Sequence, residues 1–214
     1  MENPLIRLSK SCIGEAEKKA VRAVLDREYL GMGKDVEKFE NLLTKFFGRP
    51  AICVSNGTAA LQLSIQACEI GYKDEVLVPS LTYVASFQAI SATGAIPIAC
   101  DIDEKTCLIS LKDAETKITS KTKAVMPVHY TGGVGNLDQL YSFADKYNLR
   151  VIEDAAHAFG SIYKNKKVGG FGDIACFSFD GIKNITSGEG GCVVTNDLKV
   201  IENIKNSRLL GVEK

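Results

Sequence analysis

From residue 50 onward the chain alternates short, continuously apolar runs with longer helical patterns, and this rhythm constrains the fold more than any other feature. The runs are AICVS (51–55), EVLVP (75–79), IPIAC (96–100), KAVMPV (123–128), LRVIED (149–154), DIACFSF (173–179) and GCVVT (191–195). Helical patterns fill most of the gaps, near 57–70, 82–92, 110–118 and 136–147. Strands that are apolar on both faces and joined by helices make a largely parallel sheet covered on both sides. The expectation is an α/β fold, three layers deep (α/β/α), with a mostly parallel sheet. GSIYKNKKVGGF (160–171) departs from the rhythm. It holds two short β-like pieces around NKK, which predict a hairpin and leave no room for a crossover helix. The strands flanking it and the one after the next loop therefore need not all run parallel.

Two amphipathic helices precede the sheet. Residues 15–27 place Ala16, Ala20, Val21, Val24 and Leu25 on one face; residues 35–47 do the same with Val36, Phe39, Leu42, Leu43, Phe46 and Phe47. YLGMGK between them reads as a glycine-rich turn. Near the end, LKVIENIKNSRLL begins another amphipathic helix. There are no repeats, linkers or low-complexity tracts, so the chain reads as one domain over 1–214.

The bulk numbers exclude more than they assign. Lys plus Arg equals Asp plus Glu at 26 each, so charge points to no nucleic acid or other polyanion. No apolar run approaches the ~20 residues that span a bilayer. The N-terminus MENPLIRLSKSC lacks the apolar core of a signal peptide, so a cytoplasmic location is expected and no membrane partner is. The seven cysteines form no CxxC pair, and the histidines are His129 and His157, so no metal site is expected. Buried, reduced, structural cysteines are the expectation.

In open α/β sheets ligands bind at the carboxyl ends of the strands, and four such ends carry unusual residues. SNGTAAL (55–61) follows the first strand and opens a helix. Gly57, Thr58 and Ala59 can cradle a phosphate with free backbone N–H groups; an Asn-Gly turn with a Ser or Asn cap fits equally well. This loop is neither GxGxxG nor a Walker motif, which disfavours dinucleotides and P-loop nucleotides. In SLTYVAS (80–86), Tyr83 sits where an aromatic ring can cover a flat ligand, or simply pack. In VIEDAAHAFGS (151–161), Asp154 ends an apolar strand and His157 follows three residues later. A carboxylate there needs a partner if buried, and is also a good helix cap. In SFDGIKNITSGEGG (178–191), Ser178 ends a strand and Lys183 lies in a glycine-rich loop, where turn capping and a solvated lysine are the plain alternatives.

Together these residues form the set that pyridoxal 5'-phosphate needs. A lysine amine condenses with its aldehyde, an aspartate pairs with its pyridine nitrogen, and the loop with Ser178 holds its phosphate.

The segments SNGTAALQL, DEVLVPSLTYVAS, AVMPVHYTG, VIEDAAHAFGS and CFSFDGIKNITSGEGGCVVTND resemble the nucleotide-sugar aminotransferase family of DegT/StrS type. The resemblance runs from about Leu8 to the last residue, with the motifs in the family's order. It implies the large domain of a fold-type-I pyridoxal-phosphate enzyme. It makes Lys183 the Schiff-base and catalytic lysine and Asp154 the partner of the pyridine nitrogen. It puts Thr58, Ala59 and Ser178 at the phosphate, Tyr83 on the ring, and His157 near the phenolic oxygen, where Gln is frequent. The implied reaction moves an amino group from glutamate to a nucleotide-linked keto sugar, for cell-surface polysaccharide or antibiotic sugars, in a homodimer.

Two departures accompany it. Asp180 stands where many relatives have His or Tyr, and the smaller C-terminal domain expected in the family has no counterpart within 1–214. Other readings are a non-catalytic or regulatory cofactor-binding protein and a pyridoxal-phosphate lyase or sugar dehydratase. The dehydratases resembled carry histidine in place of the lysine, and Lys183 argues against them.

Overall fold

The structure, a computed structural model, describes residues 10–211; Leu8, where the resemblance begins, lies outside them. Two helices lead in, α1 (Glu15–Asp26) and α2 (Lys34–Phe47). The alternating part follows as β1 (Ala51–Val54), α3 (Gly57–Ala67), β2 (Glu75–Pro79), α4 (Ala85–Ala92), β3 (Ile96–Cys100), α5 (Leu111–Thr116), β4 (Thr122–Val125), α6 (Leu137–Tyr147) and β5 (Arg150–Asp154). A small hairpin, β6 (Ile162–Tyr163) and β7 (Lys166–Lys167), precedes β8 (Ile174–Ser178), β9 (Gly191–Thr195) and α7 (Leu198–Ser207).

The main sheet has seven strands in the order β1-β9-β8-β5-β4-β2-β3. Only β9 reverses, pairing antiparallel with both β1 and β8, while the remaining pairs are parallel. This is the expected mostly parallel sheet, with the reversal after the lysine loop.

Side-chain alternation along the strands builds the two outer layers. Ile52, Val76, Val78, Ala124, Ile152, Ile174, Cys176 and Val193 point toward α3, α4 and α7. Their sequence neighbours point the other way, Ala175, Phe177 and Val194 onto α2, and Leu77, Val125 and Val151 onto α5 and α6. Each fully buried isoleucine in this array contributes roughly 1.5–3 kcal/mol of apolar burial. Phe47 of α2 stacks on Phe177 with ring centroids 4.9 Å apart, which pins the first layer under β8.

Three expectations need correction. The fourth strand stops at Val125 rather than 128, because Pro127 has no N–H for the ladder; pairing resumes only as a bridge between Val128 and Asp154. The helix expected from 82 begins at Ala85, leaving Thr82 and Tyr83 in the turn before it. And α1 buries no residue: its apolar stripe is there, but Val21 is 60% exposed.

The cysteines are all free thiols. Cys100, Cys176 and Cys192 are buried, while Cys12 is exposed, unlike the general expectation of burial. Burial pushes the Cys53 and Cys68 thiols up to about 12 and Cys100 to about 11. Among the described residues no helix is long and apolar enough to cross a membrane.

Candidate active site

Because β1, β2, β4, β5 and β8 run in one direction, their carboxyl ends share one edge of the sheet. A cavity of about 540 Å³ opens there, within the usual range for small-molecule sites. Gly57, Thr58, Tyr83, Asp154, His157, Ser178 and Lys183 all line it, brought together from four chain segments. Ala59 does not. Its backbone N–H donates 2.8 Å to Oδ1 of Asn56, the N-cap of α3, so that group is already used.

Next to that cap lies an anion cradle. Gly57 and Thr58 are the first two residues of α3, where backbone N–H groups have no intrahelical acceptor and the helix dipole favours negative charge. A Cβ added at Gly57 would stand 2.8 Å from Cβ and 3.2 Å from Oγ of Ser178. Only glycine therefore lets the loop close on the serine hydroxyl. Gly191, facing β1 from β9, makes a second close approach: a Cβ there would lie 2.5 Å from the carbonyl carbon and oxygen of Asn56.

Asp154 ends β5 in register with Ile152, so it faces α4 and is only 6% exposed. Ser86 Oγ donates to its Oδ2 at 2.7 Å, and the Ala156 N–H donates to Oδ1 at 3.2 Å. With the Ser86 proton committed, Thr82 donates to Ser86 Oγ at 2.7 Å. The carboxylate thus has both a turn-capping contact and a two-hydroxyl support from α4 and the turn before it. The sequence carries a trace of this, since Thr82 and Ser86 flank Tyr83 inside SLTYVAS.

Tyr83 is 73% exposed at the cavity mouth, which sets aside the packing alternative. His157 is exposed on the wall, and the Thr131 N–H donates to its Nδ1 at 3.4 Å. Partial burial, and then the positive charge of Lys183, hold the imidazole below its ordinary value of 6.5 against the opposing pull of Asp154. Lys183 is half-buried in a tight turn after β8, where its N–H donates 3.0 Å to the Asp180 carbonyl.

Sequence reasoning missed His129 as a wall residue. It follows β4, lines the same cavity and is almost wholly buried. Its Nε2 lies 2.6 Å from Oε2 of Glu153, which faces α6 on the opposite side of the sheet from Asp154. Glu153 Oε1 accepts from the Tyr141 hydroxyl at 2.7 Å. A histidine ending an apolar run was the available signal; its carboxylate partner was not visible without the strand pairing.

The donor set fits a phosphate-bearing cofactor with an aldehyde and a ring nitrogen. The glycine-only cradle suits the phosphate, the buried and anchored carboxylate suits a protonated ring nitrogen, and the amine of Lys183 suits the aldehyde.

Residues 11–214 match the family model described as the DegT/DnrJ/EryC1/StrS aminotransferase family. The chain is 51% identical to GDP-perosamine synthase from Escherichia coli O157:H7 over 183 residues, which are 85% of this chain and 50% of that protein. PseC from Helicobacter pylori, an aminotransferase involved in the biosynthesis of pseudoaminic acid, superposes with a TM-score of 0.90 at 33% identity. That match covers 97% of this chain and 57% of PseC. The PLP-form of Spr1654 from Streptococcus pneumoniae superposes with a TM-score of 0.87 at 31% identity, covering 94% of this chain and 57% of Spr1654. The chain therefore spans about half the length of the curated relatives it matches.

Proposed function

The chain belongs to the DegT/DnrJ/EryC1/StrS aminotransferase family, and from that premise we propose that it holds pyridoxal 5'-phosphate at the carboxyl edge of its sheet and serves transfer of an amino group from glutamate to a nucleotide-linked keto sugar. One observation carries the reading: the Gly57–Ser178 cradle, the anchored Asp154 and Lys183 converge on a single cavity.

Bound there, the cofactor supplies an aldehyde that takes up amino groups and a ring that draws electrons from the carbon beside the nitrogen. The N–H groups of Gly57 and Thr58 and the hydroxyl of Ser178 hold its phosphate. Asp154, kept in place by Ser86, accepts the proton-bearing ring nitrogen and keeps it charged. Tyr83 covers the ring face, and His157 stands beside its oxygen. Lys183 would hold the aldehyde through its amine, and once the donor's amino group has displaced it, the freed Nζ would take a proton from the donor's α-carbon as general base. In the second half of the cycle the protonated amine acts as general acid toward the sugar carbon that receives the nitrogen.

The same reading makes the protein a cytoplasmic homodimer, supplying amino sugars for cell-surface polysaccharide or antibiotic synthesis. Tyr83 and Ile182, apolar yet exposed at the cavity, support a rim that a second subunit covers. The test is to add glutamate, then nucleotide-linked keto sugars, to the purified, cofactor-loaded protein. The visible band of the bound cofactor should shift with glutamate, and an amino sugar should form. A band unmoved by every amino donor would mean cofactor binding without transfer.

A further inference from the structure

Asp180 has no part in the reading above, yet it lines the cavity between Ser178 and Lys183. Its contacts account for it. The Asp180 N–H donates to Ser178 Oγ at 3.3 Å, tying it back to the phosphate cradle. Its Oδ1 accepts from the Ile182 N–H at 3.0 Å, and its carbonyl accepts from the Lys183 N–H at 3.0 Å. One residue thus closes the turn on which Lys183 rides, through both side chain and main chain.

The rest of the loop is tied at other points. Ser11 donates through its hydroxyl to the Gly181 carbonyl, and Asn184 Nδ2 donates to the Phe159 carbonyl at 3.0 Å. The Thr186 hydroxyl and the Ser187 N–H both close on the Phe179 carbonyl. None of these ties satisfies the Ile182 N–H. That donor, one residue before the lysine, depends on the Asp180 side chain.

We propose that Asp180 is a positioning residue for Lys183: its side-chain oxygen, acting as a hydrogen-bond acceptor rather than as a charge, sets the turn that aims the lysine amine at a cofactor held by the Gly57–Ser178 cradle. The proposal rests on the functional reading above. Asparagine keeps an acceptor oxygen in the same place and removes the charge, whereas alanine removes both. Losing a side-chain acceptor that closes a turn of this kind changes local equilibria roughly fivefold.

The test compares Asp180→Asn and Asp180→Ala with the unchanged protein by two readouts. The first is the rate at which added pyridoxal phosphate becomes fixed to Lys183 by borohydride. The second, on cofactor-free protein, is hydrogen exchange of the Ile182 amide. We expect Asp180→Asn to match the unchanged protein in both, and Asp180→Ala to capture cofactor roughly fivefold more slowly with Ile182 exchanging roughly fivefold faster. Equal capture in all three proteins overturns the proposal, and so does an asparagine variant as slow as the alanine one. Failure of the unchanged protein to fix any cofactor would overturn the functional reading instead, and the exchange of Ile182 would still decide whether Asp180 holds the turn.

Discussion

Glu153 Oε2 and His129 Nε2 lie 2.6 Å apart with their side chains 1% and 2% exposed, on the face of β5 that Asp154 turns away from. Consecutive carboxylates therefore serve opposite sides of one strand. Asp154 faces the cavity with Ser86, and Glu153 braces the cavity wall from behind with His129 and Tyr141. Neither carboxylate is stranded, because each accepts from two donors, as burial demands.

Removing the brace should cost stability rather than chemistry. Glu153→Ala leaves the His129 ring and the Tyr141 hydroxyl buried without their acceptor and should destabilise by about 2–6 kcal/mol, about 1–3 kcal/mol for each stranded group. Tyr141→Phe, which removes one donor of the two, should cost about 1–3 kcal/mol. Denaturant midpoints measure both, and a Glu153→Ala midpoint equal to that of the unchanged protein would contradict the role given to the network.

The support of Asp154 is separable from the aspartate itself. Ser86→Ala removes the 2.7 Å donor to Oδ2 and should cost about 1.5–3 kcal/mol, the range for hydrogen bonds to charged groups. It should also weaken binding of pyridoxal phosphate measured by fluorescence titration. Thr82→Val, one bond further out, should have the smaller effect on both.

Two glycines are predicted to tolerate alanine differently. At Gly57 the obstacle is the Ser178 side chain at 2.8 Å, and at Gly191 it is the backbone of Asn56 at 2.5 Å. A side chain shifts more readily than backbone, so Gly191→Ala should lower the melting temperature more. Gly57→Ala should cost about 1–3 kcal/mol, a typical overpacking penalty, and weaken cofactor binding beyond its effect on stability. Equal melting temperatures for the two variants would contradict this ordering.

His157 gives a pH signature with a definite sign. Its folded value lies below the ordinary 6.5, so the unfolded chain binds the proton first as pH falls. Its contribution to stability is constant above 6.5 and declines as pH drops from there toward the folded value. Burial is the main cause and the charge of Lys183 the second, so Lys183→Ala should raise the His157 value part of the way back. Titration of the imidazole ring protons by NMR reads this directly, and a downward shift would contradict it.

Much of the architecture was legible because it follows from local chemistry. The period-2 neighbours Val151 and Ile152 already announced a strand buried on both faces, and Asn56 before Gly57 a capped helix start. Pro127 inside KAVMPV carried the early end of β4, although the apolar run around it concealed the break. Ser86 with Asp154 and His129 with Glu153 were not legible as pairs. They lie 68 and 24 residues apart in sequence, and only the parallel pairing of β5 with β4 and the seating of α4 bring them together. The role of Asp180 is not legible in sequence, since its turn depends on backbone geometry that periodicity does not report. The apolar stripe on α1 shows the converse case, a pattern correctly helical whose partner does not lie among the described residues.

The central claim is that Lys183 is the residue that takes the cofactor. The most direct measurement is to mix the protein with pyridoxal phosphate, reduce with borohydride and map the modified peptide by mass spectrometry. A single label on Lys183, absent from the Lys183→Ala variant and reduced when Ser178 is replaced by alanine, is the predicted result. A label spread over exposed surface lysines, with Lys183 unmodified, would contradict it.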